Sequence, residues 1–242
     1  MSHVAGTASI PAVQTERLAK RFARTWALQG VSLTIGTGES VCLLGPNGSG
    51  KTTLLRVLAT ATRPTSGQAR VFGHESIDDG DAVRRRIGLL SHRTFLYGEL
   101  TALENLRFAA VMYGLELDHR QLEAALADVG LDYAADHRVR GFSQGMTQRL
   151  ALARATLHAP PLLLLDEPYS ALDAAGLQLL DQFLARYVGG GGTVILVTHQ
   201  VERGLAACER AIALKAGRLV FDGRSDAFRS SPEAAGVGDW TR

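Results

Sequence analysis

Apolar residues along the chain fall into short runs separated by glycine-rich turns. Val41–Leu44, Leu162–Leu165 and Thr193–Val197 are compact apolar runs, which read as strands buried on both faces. Ala69–Phe72, Ile87–Leu90, Ala211–Leu214 and Leu219–Phe221 are further strand candidates. Leu18–Ala23 and Trp26–Ile35 precede any helical pattern, so they carry antiparallel hairpin character. Lys51–Thr60 places leucines at 54, 55 and 58, a helical spacing. Helical patterns also fill Leu103–Met112, Arg120–Val129, Gln144–Leu157, Ala175–Tyr187 and Val201–Cys208. Strands alternating with helices predict an α/β domain with a mainly parallel core sheet. The stretch from about 92 to 158 holds no convincing strand and predicts an inserted helical subdomain. One domain is expected over 12–228, its core formed by 12–91 and 159–228. Residues 1–11 and 229–242 are expected to be loose ends.

The turn after the run Val41–Leu44 carries the clearest chemistry. Gly45-Pro46-Asn47-Gly48-Ser49-Gly50-Lys51-Thr52 fits G-x-x-x-x-G-K-[ST], with a strand before it and a helix after it. Such a backbone curls so that successive N–H groups point inward and cradle phosphate oxygens. The helix that follows, opening at Lys51-Thr52-Thr53, directs its positive end at the same anion. Lys51 supplies a point charge to the phosphates, and the Thr52 hydroxyl is a hard oxygen ligand suited to Mg²⁺. The run Leu162–Leu165 ends in Asp166-Glu167. There Asp166 would hold Mg²⁺ through water and Glu167 would act as general base.

Composition narrows this without redirecting it. The 242 residues are 46% hydrophobic and 21% charged, within the range of a folded globular domain. Basic residues exceed acidic ones by only 26 to 24, which is no nucleic-acid footprint. Cys42 and Cys208 stand alone, without a metal or redox spacing, and read as reduced buried thiols. The N-terminus lacks the basic flank and apolar stretch of a signal peptide. No apolar run approaches the ~20 residues of a membrane span.

Further segments, in order, give a resemblance to the ATP-binding-cassette (ABC) ATPases over roughly residues 12–225. Phe142-Ser143-Gln144-Gly145-Met146 resembles the signature motif, Ser170-Ala171-Leu172-Asp173 the D-loop, and His199 the switch histidine. Phe22 matches the aromatic that stacks on adenine, with Trp26 a rival. His92 stands where the family usually has a glutamine. The resemblance implies a P-loop NTPase (RecA-like) core with an antiparallel β subdomain and the inserted helical subdomain, hydrolysing ATP with Mg²⁺. It makes Glu167, His199 and Lys51 catalytic. It implies a homodimer in the ATP-bound state, with Ser143, Gln144 and Gly145 closing over the partner's γ-phosphate and Asp173 at the seam. It also implies separate transmembrane permease subunits and a peripheral place on the cytoplasmic side of the membrane. Phe95, Leu96 and Tyr97 either grip such a subunit or pack under the helical subdomain. Gln144 and Met146 depart from the commonest signature residues. Imidazole is a poor Mg²⁺ ligand, so His92 is expected to bond a water or the γ-phosphate instead.

Locally, His92, the segment Glu99–Phe108 and Thr198-His199-Gln200 resemble the ATPase subunits that power heme export for cytochrome c maturation. No heme-ligand motif occurs, which implies that this chain supplies energy and binds no heme itself. Multidrug or antibiotic exporter ATPases, with similar signatures, are the alternative. A non-transport ABC ATPase acting on nucleic acid would need longer insertions or a second cassette.

Overall fold

The computed structural model describes residues 10–232. The predicted loose start, 1–11, falls outside them up to residue 9, and the predicted loose end falls outside them from residue 233.

Two sheets carry the fold. Strands β1 (Val13–Phe22), β2 (Thr25–Ile35), β4 (Ser66–Val71) and β5 (His74–Glu75) form an antiparallel sheet in the order β2-β1-β4-β5. Strands β3 (Ser40–Leu44), β6 (Ile87–Leu90), β7 (Leu162–Asp166), β8 (Thr193–Val197), β9 (Arg210–Lys215) and β10 (Arg218–Arg224) form the second, in the order β10-β9-β3-β8-β7-β6. All its pairings are parallel except the β9–β10 edge hairpin. The helices are α1 (Lys51–Leu58), α2 (Gly80–Arg84), α3 (Ala102–Tyr113), α4 (His119–Ala127), α5 (Gln144–Thr156), α6 (Ala174–Gly189), α7 (Val201–Ala207) and α8 (Ser225–Arg229).

Every residue of β3, β7 and β8 is buried, because helices or strands cover both faces of a parallel sheet. Side chains alternate along a strand, so one run feeds two cores. Val41, Leu43, Leu162, Leu164, Ile195 and Val197 pack with α1 and the antiparallel sheet. Cys42, Leu44, Leu163, Leu165, Val194 and Leu196 pack with Leu106, Leu122 and Leu150 of α3, α4 and α5. The helical segment between β6 and β7 therefore shares its core with the parallel sheet. Asn105, 3% exposed, pins the loop before α3. Its amide bonds the Tyr97 N–H at 2.8 Å and the carbonyls of Tyr97 and Thr101 at 3.0 and 2.8 Å.

The structure departs from expectation at several elements, the two-residue strand β5 among them. Strand β1 starts at Val13 rather than Leu18, with register shifts between Thr15 and Leu18 where Arg17 takes a φ of 45°. The short α2 and α8 follow polar, non-periodic sequence that gave no helical signal. Arg229 is not part of a loose end: it lies in α8, and its Nε pairs with Glu202 at 3.2 Å.

Candidate functional site

The glycine-rich loop leaves the buried centre of the parallel sheet at β3 and enters α1. Gly45 has a φ of +144°, and a Cβ there would lie 2.2 Å from the Leu214 carbonyl oxygen of β9. The loop is thus pressed against β9 as only a bare backbone permits. Gly50 caps α1 without a side-chain hydrogen bond, leaving first-turn N–H groups to an anion. Lys51, 7% exposed, donates from Nζ to the Gly45 carbonyl at 2.7 Å and to that of Pro46 at 3.1 Å. Burial lowers its pKa, while the nearby charges of Glu167 and Asp166 work against that shift. Ser49 Oγ is buried with no hydrogen-bond partner.

Asp166 ends β7 almost fully buried, and Glu167 follows in a left-handed conformation with φ 57°. Such a conformation costs about 1–2 kcal/mol for a residue with a side chain. Surrounding bonds hold it. Its N–H donates to the Val197 carbonyl at 2.8 Å. Its carbonyl accepts from Ser170 Oγ at 2.9 Å and from Gln148 Nε2 at 3.2 Å. Glu167 Oε2 accepts from the His199 N–H at 3.1 Å. Oε1 is buried without a hydrogen bond, 3.4 Å from His199 Nε2. Burial raises the Glu167 pKa; the His199 contacts and Lys51 oppose the rise and Asp166 adds to it. A carboxylate so placed keeps one oxygen free to accept a proton.

These elements meet in a cleft of about 280 Å³. Asn47, Gly48, Ser49, Gly50, Lys51, Thr52, Thr53, His92, Asp166, Glu167 and His199 all line it. Two features fit a bound nucleotide with its metal: an orphaned Ser49 hydroxyl in the lining, and hard oxygen donors at Thr52 and Asp166. Ala27 and Val197 also line the cleft, and Gln148 buttresses it. None of the three carries a signal of its own in the sequence. Ala27 and Val197 contribute position rather than chemistry, and Gln148 reaches the site only because α5 packs beside the loop after β7.

Other predicted residues lie outside this cleft. Phe22 and Trp26 are both largely exposed, with Lys20 over the Phe22 ring and Arg21 over that of Trp26, so neither is singled out. Ser143 caps α5 by accepting from the Met146 N–H at 3.2 Å, and with Gln144 it is exposed. Gly145 is half-buried, its Cα facing the Ala171 carbonyl. Asp173 is exposed and caps α6 through the Gly176 N–H. Phe95 and Tyr97 are exposed beside Phe108, around an apolar cavity of about 350 Å³. Leu96 is half-buried and packs on the core, so of the two alternatives it follows the packing one, while Phe95 and Tyr97 stay exposed.

A sequence profile described as ABC transporter matches residues 28–170. The ABC transporter ATP-binding protein NatA of Bacillus subtilis is 35% identical over 210 residues, 85% of each chain. The daunorubicin resistance ATP-binding protein DrrA3 of Streptomyces coeruleorubidus is 36% identical over 221 residues, 90% of this chain and 70% of that one. Among solved structures, a dimeric post-hydrolysis state of the ATP-binding cassette MJ0796 bound to ADP and Pi superposes with a TM-score of 0.81. It is 30% identical, and the match covers 88% of this chain and 98% of that one.

Proposed function

Because the chain belongs to the ABC transporter family, whose ATP-binding subunits couple Mg²⁺-dependent ATP hydrolysis to transport, we propose that it energises export through separate membrane subunits, and that the cargo is heme for cytochrome c maturation. The observation that carries the ATPase part is the convergence of the glycine-rich loop, Asp166, Glu167 and His199 on one cleft.

In this reading the loop amides and Lys51 bind the phosphates of ATP. Thr52 and Asp166 hold Mg²⁺, which when bound neutralises phosphate charge. Glu167 Oε1 accepts a proton from water as the water oxygen bonds the γ-phosphorus and the bond to the ADP oxygen breaks. His199 holds that carboxylate and faces the γ-phosphate; His92 orders a water at the cleft rim. Catalysis is by positioning and charge, as phosphoryl transfer requires. Phe22 stacks on adenine. Ser143, Gln144 and Gly145, at the exposed N-terminus of α5, serve the nucleotide of a second copy, with Asp173 at the seam. The dimeric state of the similar cassette MJ0796 supports this arrangement. Among the described residues no helix is long and apolar enough to cross a membrane. In this reading the chain is a peripheral subunit at the cytoplasmic face, docked on a permease and binding neither heme nor nucleic acid.

The heme assignment rests on the local resemblance of His92, Glu99–Phe108 and Thr198–Gln200. A second reading, export of drug-like molecules, is favoured by the 36% identity to the daunorubicin resistance protein. Purifying the native membrane complex through a tag on this chain separates them. Co-purifying cytochrome c maturation subunits with a Soret band support heme export. A different permease without heme supports the second reading.

A further inference from the structure

Outside the cleft, three side chains from three elements form one closed cluster. Tyr169, two residues after Glu167, is 1% exposed, yet it carries a hydroxyl. That hydroxyl donates to Asp181 Oδ1 of α6 at 2.9 Å. Asp181 Oδ2 is paired with Arg203 Nη1 of α7. The Arg203 guanidinium lies over the Tyr169 ring, 5.5 Å from its centre. A buried phenol in an otherwise apolar place needs its partner, so the bond constrains all three elements. Arg203 stands four residues after His199, in the first turn of α7. The cluster thus ties the turn that begins at strained Glu167 to the helix that begins beyond His199. Within that frame the His199 imidazole faces Glu167, with Nε2 3.4 Å from Oε1.

The geometry points to Tyr169, Asp181 and Arg203 as positioning residues that seat His199 against Glu167 for hydrolysis. None of the three lines the nucleotide cleft, so they act through their neighbours. The inference rests on the roles given above to Glu167 and His199.

The test measures kcat and KM for Mg-ATP on the full chain. The variants are Tyr169→Phe, Asp181→Asn, His199→Ala and the double variant Tyr169→Phe with His199→Ala. Small displacements of a reacting group cost one to two orders of magnitude in rate. Tyr169→Phe keeps the ring, so kcat should fall about tenfold with KM within about twofold. In the His199→Ala background it should cause no further loss. Asp181→Asn should repeat the pattern and serves in place of Tyr169→Phe should that variant misfold. Unchanged kcat in both, a loss confined to KM, or the same tenfold loss in the His199→Ala background would each overturn the inference. Full kcat in His199→Ala would overturn the role of His199 and the cluster's role with it, a result distinct from failure of Tyr169→Phe alone.

Discussion

Alanine at Gly45 should damage the protein more than alanine at Gly48, although both glycines sit in one loop with positive φ. At Gly48, φ is +77° and an added Cβ would meet nothing within 4 Å. The cost there is the left-handed conformation alone, about 1–2 kcal/mol. At Gly45, φ is +144° and the Cβ would lie 2.2 Å from the Leu214 carbonyl oxygen and 2.6 Å from Ser49 Oγ. Carbon–oxygen contacts normally stop near ~3.3 Å, so the loop must retreat from β9 by about 1 Å. Conformational strain of about 1–3 kcal/mol, added to that displacement, gives a total near 4 kcal/mol. At about 2–4 °C per kcal/mol for a domain of this size, Gly48→Ala should lower Tm by about 2–8 °C. Gly45→Ala should lower it by about 8–16 °C. Differential scanning calorimetry without nucleotide reads both. Equal losses, or a smaller loss at Gly45, would refute the view that contact with β9 shapes the cradle.

Other outcomes follow from the same geometry. Asn105→Ala strips one N–H and several carbonyls of their partner in a buried place, and should cost about 1–3 kcal/mol in denaturant unfolding. Hydrogen exchange should quicken at Tyr97–Thr101 while ATP affinity changes less than about twofold, since Asn105 lies outside the nucleotide cleft. Burial raises the Glu167 pKa above its ordinary 4.5, so the folded state disfavours the carboxylate. That penalty is fully present above the raised folded value and vanishes below the ordinary one. Glu167→Gln should therefore melt higher than the parent near pH 8, with the difference closing as pH falls towards 4, measured by Tm across pH.

Much of this architecture was legible because local signals agreed with the packing. Val41–Leu44, Leu162–Leu165 and Thr193–Val197 are too apolar for any place but a sheet covered on both faces, and all three lie there. The cleft was legible because Gly45–Thr52 and Asp166-Glu167 are contiguous motifs whose chemistry depends on neighbours in the chain. His92 and His199 come from distant segments, yet both reach it. What depends on tertiary contact was not legible. Nothing near Leu96 signals that it turns inward between exposed Phe95 and Tyr97. The bond from Tyr169 to Asp181 joins residues whose partnership exists only once α6 packs on the loop after β7. Helix α8 is a single short turn, fixed by Phe228 in the core rather than by any periodicity.

If this cleft hydrolyses ATP with Glu167 as the proton acceptor, removing that carboxylate must slow the chemistry and spare binding. Single-turnover hydrolysis and equilibrium ATP binding, measured together on Glu167→Gln, test it most directly. Hydrolysis should slow by about 10²–10⁴-fold with the ATP Kd changed less than about threefold. Hydrolysis at the parental rate with binding intact would contradict that role for Glu167.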